Sequence, residues 1–301
     1  MTPASSAAGL AMALGGAAAY GFNITFARLA AFAGVPGPSL VLYRVVLMLA
    51  LAAAGAAIMR ETLKVPPARR GGVLLLSLTS AGVGLCYLSS VAFIPVAVAA
   101  VIFYTFPVLI VLASPFVDGK PVAAATLMVA LAAFVGIVLV VGPAWGDLDP
   151  VGLLLAAGAS LSATGQFFVA TRLAGVGTWP KLFWIHVVIL PISLVVALVT
   201  GGIAPPAALA SAPWSVFFHV AGFLVGFSLT LMALARISAV AAGLTYCAEP
   251  VIAAITAAIV IGERLAPLQY AGGALVIAAI VANILLSRRE EAPAAAQEAA
   301  S

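Results

Sequence analysis

The chain has 301 residues, 65% of them hydrophobic, and only 13 basic and 9 acidic side chains, 7% together. Soluble proteins carry about 25% charged residues, so a globule of this size could not cover itself in water. This composition excludes a soluble enzyme, a secreted disulfide scaffold and a disordered chain, and leaves the lipid bilayer as the medium.

A membrane helix needs about 20 predominantly apolar residues. Between Pro, Gly and charged punctuation, ten such stretches follow one another along the chain. Five lie near 8–32, 38–59, 71–91, 97–116 and 121–142, and five near 151–174, 180–200, 213–234, 239–261 and 267–287. The expected fold class is an all-α integral membrane protein with ten transmembrane helices arranged as two inverted five-helix repeats. Its expected division is a first repeat over 1–145, a second over 146–287, and a disordered cytoplasmic tail over 288–301. The first span is not read as a secretory signal, because no Lys or Arg precedes Arg28 and the basic leading region of such a signal is missing. Cys86 and Cys247 both lie in apolar runs and read as small interior residues.

Basic residues set the expected direction. Arg60, Lys64, Arg69, Arg70, Lys120, Arg172, Lys181, Arg236, Arg288 and Arg289 fall at one end of the alternating spans. Only Arg28 and Arg264 fall at the other, with Asp147 and Asp149. The positive-inside rule then places both termini in the cytoplasm. It also accounts for the net charge of +4 without a nucleic-acid partner.

The halves repeat. Gly21–Phe26 with Ala27-Arg28-Leu29-Ala30 aligns with Gly165–Ala170 with Thr171-Arg172-Leu173-Ala174 at an offset of 144, and Pro107 and Gly119 align with Pro250 and Gly262 at 143. Five spans is an odd number, so the second unit enters the membrane upside down. That is the architecture of alternating-access transporters.

Several side chains are out of place in lipid. Glu249 lies about ten residues from either end of its span, where an ionisable group costs at least ~2.5–3.5 kcal/mol and needs a cavity or a partner. It reads either as a proton-coupling carboxyl or substrate-amine contact, or as an interior residue satisfied by a neighbouring hydroxyl or carbonyl. Pro250 frees the Tyr246 carbonyl from its helical partner, and Pro107 does the same for Phe103 at the matching place. Paired interruptions in two inverted halves point to a transporter's centre, so Pro107 and Pro250 are the candidate hinges. Tyr20 and Asn23 share a helix face, as do Tyr87 with Ser90 and Tyr246 with Glu249. Together with Phe103, Tyr104 and Gln166 they form the candidate substrate-binding set, suited to a ligand with an apolar side chain and a polar head. Tyr43 and Tyr270 read as interfacial anchors. Arg44 reads first as a side chain snorkelling outwards and second as an anion contact. His186 and His219 read as hydrogen-bonded interior residues, and Gly222 with Gly226 as a close-approach pair. Neither a Walker loop, an HExxH motif nor a Cys/His metal spacing is present in the sequence, so no catalytic residue, metal or cofactor is expected.

Tyr246-Cys247-Ala248-Glu249-Pro250, Gly262-Glu263-Arg264, Gln269 and Gly272-Gly273 resemble the second repeat of the EamA-type carriers of the drug/metabolite transporter superfamily. Tyr43-Arg44, Tyr104-Thr105-Phe106-Pro107 and Gly136 resemble the first. The resemblance covers about residues 9–287. It implies export of metabolites from bacterial cells, with the aromatic amino acid exporter branch nearest. At the position equivalent to Glu263 the first half carries Lys120 where family members often have Glu, and Glu263 is expected to be a helix-end contact and no substrate site. The expected function is export of neutral and aromatic amino acids and related metabolites across the inner membrane. A multidrug or lipophilic-cation exporter, or a non-transporting receptor bundle, are the alternatives.

Overall fold

The computed structural model describes residues 3–119, 121–142, 148–200 and 202–298, with side chains over 6–286. Lys120, Asp147 and the side chains of Arg288, Arg289, Glu290 and Glu291 lie outside it. The described residues are helices joined by short turns: α1 (Pro3–Phe32), α2 (Gly37–Ile58), α3 (Pro67–Ser90), α4 (Val96–Phe103), α5 (Phe106–Asp118), α6 (Ala124–Val141), α7 (Pro150–Arg172), α8 (Thr178–Val199), α9 (Pro206–Leu209), α10 (Pro213–Leu234), α11 (Ala239–Tyr246), α12 (Ala248–Val260) and α13 (Pro267–Glu298). In lipid every backbone N–H and C=O must be satisfied within the segment, which is why apolar runs of this length become helices. Ten helical stretches are long and apolar enough to cross a membrane, α4 with α5 and α11 with α12 each counting as one crossing.

Local chemistry sets the ends of these helices. Proline stands in the first turn of α2, α3, α7, α10 and α13, where a missing N–H costs nothing. The Asp149 carboxylate accepts from Val151 N at 2.7 Å at the start of α7, and Ser238 Oγ from Ala241 N at 3.1 Å at the start of α11. Gly119 after α5 and Gly262 after α12 both adopt left-handed φ, 69° and 77°, so the same turn closes the same element in both halves. α13 runs on to Glu298, through most of the tail expected to be without structure. The Ala-, Arg- and Glu-rich segment after residue 287 consists largely of good helix formers.

Packing follows a two-fold pattern. The first crossing lies against the eighth (α1 with α10) and the third against the sixth (α3 with α7), each pair being the other's image under exchange of halves. The second meets the seventh (α2 with α8), and the fifth meets the tenth (α6 with α13), each on its own image. An odd number of crossings per half and this exchange together make the repeats inverted. Small residues allow the closest approaches. A Cβ on Gly222 would lie 2.9 Å from the Ala19 carbonyl oxygen of α1, and one on Gly226 2.9 Å from the Tyr20 ring. Gly136 and Gly272 face each other across the α6–α13 crossing, where a Cβ on either would meet the other's carbonyl oxygen.

Both interrupted crossings break at the aligned prolines. α4 stops at Phe103 and α5 restarts at Phe106, with Pro107 in its first turn; α11 stops at Tyr246 and α12 restarts at Ala248, with Pro250 in its first turn. α4 and α11 correspond residue for residue at an offset of 143. Lys181, grouped above with the basic loop residues, is fully buried, and its Nζ donates to the Leu173 carbonyl at 3.3 Å. The short turn from α7 to α8 and the packing of α8 against α2 and α3 draw it into the bundle.

Candidate functional site

The two breaks face each other. The Tyr104 hydroxyl, in the gap between α4 and α5, faces the Glu249 carboxyl in the first turn of α12. Tyr20 of α1, Tyr87 of α3 and Tyr246 of α11 all lie within electrostatic reach of that carboxyl. α1 can lie this close to α12 because Gly21 has no side chain: a Cβ there would be 2.7 Å from the Glu249 carbonyl oxygen.

Rings connect the site across the bundle. Tyr87 stands 5.4 Å from Phe103, Phe103 5.3 Å from Phe106, and Phe106 5.3 Å from Phe167 of α7. Phe167 meets Tyr246 edge-on at 5.6 Å, Tyr246 lies 6.2 Å from Tyr20, and Tyr20 lies 5.9 Å from Phe223 of α10. Tilted and edge-to-face pairs at such spacings are favourable for aromatic quadrupoles. The run passes from the first half through α7 to α10 and α11, so the repeats share one aromatic wall beside a single acid. Such a wall accepts flat or apolar groups, while the acid offers an acceptor for a cation or hydroxyl.

The sequence-derived set divides. Tyr20, Tyr87, Phe103, Tyr104, Tyr246 and Glu249 come together as described. The other three have interior partners of their own. Asn23 Nδ2 lies 2.9 Å from His219 Nδ1 and donates to the His219 carbonyl, joining α1 to α10. Gln166 Nε2 donates to Ser80 Oγ at 2.9 Å, joining α7 to α3. Ser90 is fully buried and donates to the Tyr87 carbonyl of its own helix at 2.7 Å. A helix-face argument places these residues inwards but cannot say which neighbouring helix answers them.

Other participants were not legible as such. Phe106, Phe167 and Phe223 look in sequence like any lipid-facing Phe, although Phe167 adjoins Gln166 and Phe223 follows His219 by one turn. Thr230 accompanies the Tyr246 hydroxyl in a hydrogen bond, and Thr105 Oγ1 lies 2.8 Å from Ser160 Oγ, linking the α4–α5 gap to α7. Arg44 departs from the snorkelling expected of it. Its guanidinium lies over the Phe223 ring, 3.5 Å from the centroid, and its Nε is buried. α10, beside α2, presents an aromatic face to it, and arginine stacks well on such a face.

At the end of the bundle that carries the N terminus, a cavity of about 840 Å³ opens between the ends of α5, α7 and α10 and the starts of α6 and α11. Asp118, Arg172, Arg236, Ser238 and Asn283 line its polar parts. At the opposite end Arg28 and Glu263 form a salt bridge, and Phe22, Phe26 and Phe218 cluster with centroids 4.5–5.6 Å apart.

Among the described residues, no three His, Cys, Asp or Glu side chains gather in a way that could hold a metal ion. No curated protein matches the chain. One solved structure, described only as the crystal structure of a protein, aligns with 97% of this chain and 100% of its own at a TM-score of 0.79 and 19% identity, a likeness of fold. The model of the EamA-like transporter family matches twice, over residues 7–142 and 150–285, one match to each five-crossing half. The chain therefore belongs to the EamA-like transporter family of the drug/metabolite transporter superfamily, whose members are membrane transporters.

Proposed function

We propose that this transporter exports amino acids, neutral and aromatic ones first, and related small metabolites from the bacterial cytoplasm across the inner membrane. The observation that carries the reading is the Tyr104–Glu249 contact, in which the breaks of both interrupted crossings meet inside an aromatic wall. An ammonium group is matched by Glu249 and the surrounding tyrosine hydroxyls, and an apolar side chain by Phe103, Phe106 and Phe167. Pro107 and Pro250 act as the hinges about which the two ends of α4–α5 and α11–α12 tilt separately, alternately exposing the centre to each side. Both termini are cytoplasmic, which assigns the cavity beside Arg172 and Arg236 to the cytoplasmic entrance.

The test is flux. Purified protein in liposomes is expected to move labelled phenylalanine, tyrosine and leucine, and flux no greater than in empty vesicles for every amino acid tried would sink the reading. A single acid among rings also suits lipophilic cations, which supports multidrug export as the second reading. Protection of cells overproducing the protein separates the two, because an amino acid exporter protects against toxic amino acid analogues and a drug exporter against cationic dyes.

A further inference from the structure

Three buried side-chain nitrogens have no hydrogen-bond partner among the described residues: Arg44 Nε, His186 Nε2 and His219 Nε2. They come from α2, α8 and α10, yet form one group. Arg44 interacts electrostatically with both imidazoles. The Arg44 guanidinium lies 3.5 Å from the Phe223 centroid, His186 meets the edge of that ring at 6.3 Å, and His219 stands one turn before it on α10. His186 and His219 are 0% and 5% exposed. Buried polar atoms in folded proteins nearly always have partners, so three together need an explanation.

The hydrogen-bond pattern gives each nitrogen a role. His186 Nδ1 lies 2.8 Å from the Leu182 carbonyl, which can only accept, so the proton is on Nδ1 and Nε2 of the neutral ring presents a lone pair. His219 Nδ1 lies 2.9 Å from the Asn23 amide nitrogen, a donor, and 3.3 Å from the Asn23 carbonyl, an acceptor, so either neutral tautomer finds a partner and Nε2 is able to present a proton to an incoming anion. Arg44 Nε is thus a free donor beside an imidazole that can supply a second, and the only salt bridge among the described residues is the distant Arg28–Glu263 pair. A permanent cation and a second donor without an acid are chemically matched to a carboxylate.

We infer that Arg44 and His219 form the seat for the carboxylate of the transported molecule, with Glu249 and the tyrosines around it taking the amine. The inference rests on the proposed amino acid export and sharpens it: the substrates are zwitterions. Tyr20 joins the two sites, since its hydroxyl is within electrostatic reach of both Glu249 and Arg44 and its ring lies 5.9 Å from Phe223. An α-amino acid carries both charges on one carbon, so its two sites must share such a neighbour.

The experiment compares L-phenylalanine, its carboxamide and phenethylamine in liposomes containing the full chain, with Arg44→Met, Arg44→Lys and His219→Leu alongside. Wild type is expected to favour phenylalanine over phenethylamine by at least about tenfold, because a site built for a charged partner rejects the analogue lacking it. That ratio should collapse in Arg44→Met and fall partway in Arg44→Lys and His219→Leu, a change that a merely structural role would not produce. An unchanged ratio, or equal loss of all three fluxes, overturns the seat. Should wild type move none of the three probes, amino acid export fails. The seat is then judged by acetate and benzoate, followed through the unfolding temperature of the purified protein. Stabilisation that disappears in Arg44→Met or Arg44→Lys upholds it, and none, or stabilisation equal in wild type and variants, overturns it.

Discussion

The Arg28 guanidinium at the end of α1 lies 2.6 Å from the Glu263 carboxylate in the turn after α12, tying the first half to the second. In the repeat alignment Arg28 corresponds to Arg172 and Glu263 to Lys120. Opposite charges thus pair at one end of the molecule, whereas both counterparts in the sequence alignment are basic. Arg172 instead donates to the Val117 carbonyl at 2.6 Å, beside the 840 Å³ cavity. Both members of the ion pair are substantially exposed, at 46% and 39%. Pairs of this kind contribute about 0–1 kcal/mol and are screened by salt. Arg28→Gln should therefore lower stability by less than about 1 kcal/mol, and the charge-swapped double variant should recover that loss. Thermal unfolding in detergent at low and high salt measures both, and a loss of several kcal/mol would mean that the pair is shielded from water.

The prolines offer a sharper test. Replacing Pro107 and Pro250 together with Ala restores two backbone N–H groups and continuous helices. Ala is the best helix former, so the double variant should insert and remain folded. Transport should fall by about tenfold or more, as expected when hinge residues are stiffened, while binding to one facing state persists. Wild-type flux at matched expression would show that these breaks are passive.

Glu249 and Tyr104 should behave as a coupled pair. Glu249→Gln preserves shape and removes the ionisable proton, and Tyr104→Phe removes the hydroxyl that faces it. Removing one partner of a buried polar pair costs about 1–3 kcal/mol, so each single variant should weaken substrate binding by roughly tenfold. The double variant should lose much less than the product of the two effects, since neighbouring groups that act together are not additive. Additive losses in a four-variant binding cycle would place the two residues in separate roles. Any pH dependence of flux should also disappear in Glu249→Gln.

Close helix packing predicts opposite outcomes for two glycines. Gly222→Ala places a Cβ 2.9 Å from a backbone oxygen of α1, which cannot swing aside, whereas a Cβ on Gly84 of α3 meets nothing within 4 Å. Overpacking of this kind costs about 1–3 kcal/mol, and the Gly222 variant should show it as a lower unfolding temperature. Gly84→Ala should be neutral or stabilising by up to about 1 kcal/mol. A neutral Gly222→Ala would mean that α1 and α10 move apart readily.

Phe223 and Arg44 illustrate what a one-dimensional pattern holds and what it lacks. The number of crossings, their ends to within a few residues, the breaks near Pro107 and Pro250 and the repeat itself were legible, because each arises from local causes. Backbone groups in lipid demand helices, and prolines interrupt them where their missing N–H falls. The inward placement of Glu249 followed from the same kind of reasoning, since a charge at that depth needs a partner. Tyr104 could be named as polar lining, but its pairing with Glu249 joins residues 145 positions apart and follows only from how α5 meets α11. Asn23, Gln166 and Ser90 were equally credible as lining until their partners on α10, α3 and α3 itself were seen. For Arg44, depth in the span allowed either an outward or an inward side chain. The decision came from the aromatic face of α10, brought beside α2 by the inverted packing of two halves whose relative placement no local stretch of sequence encodes.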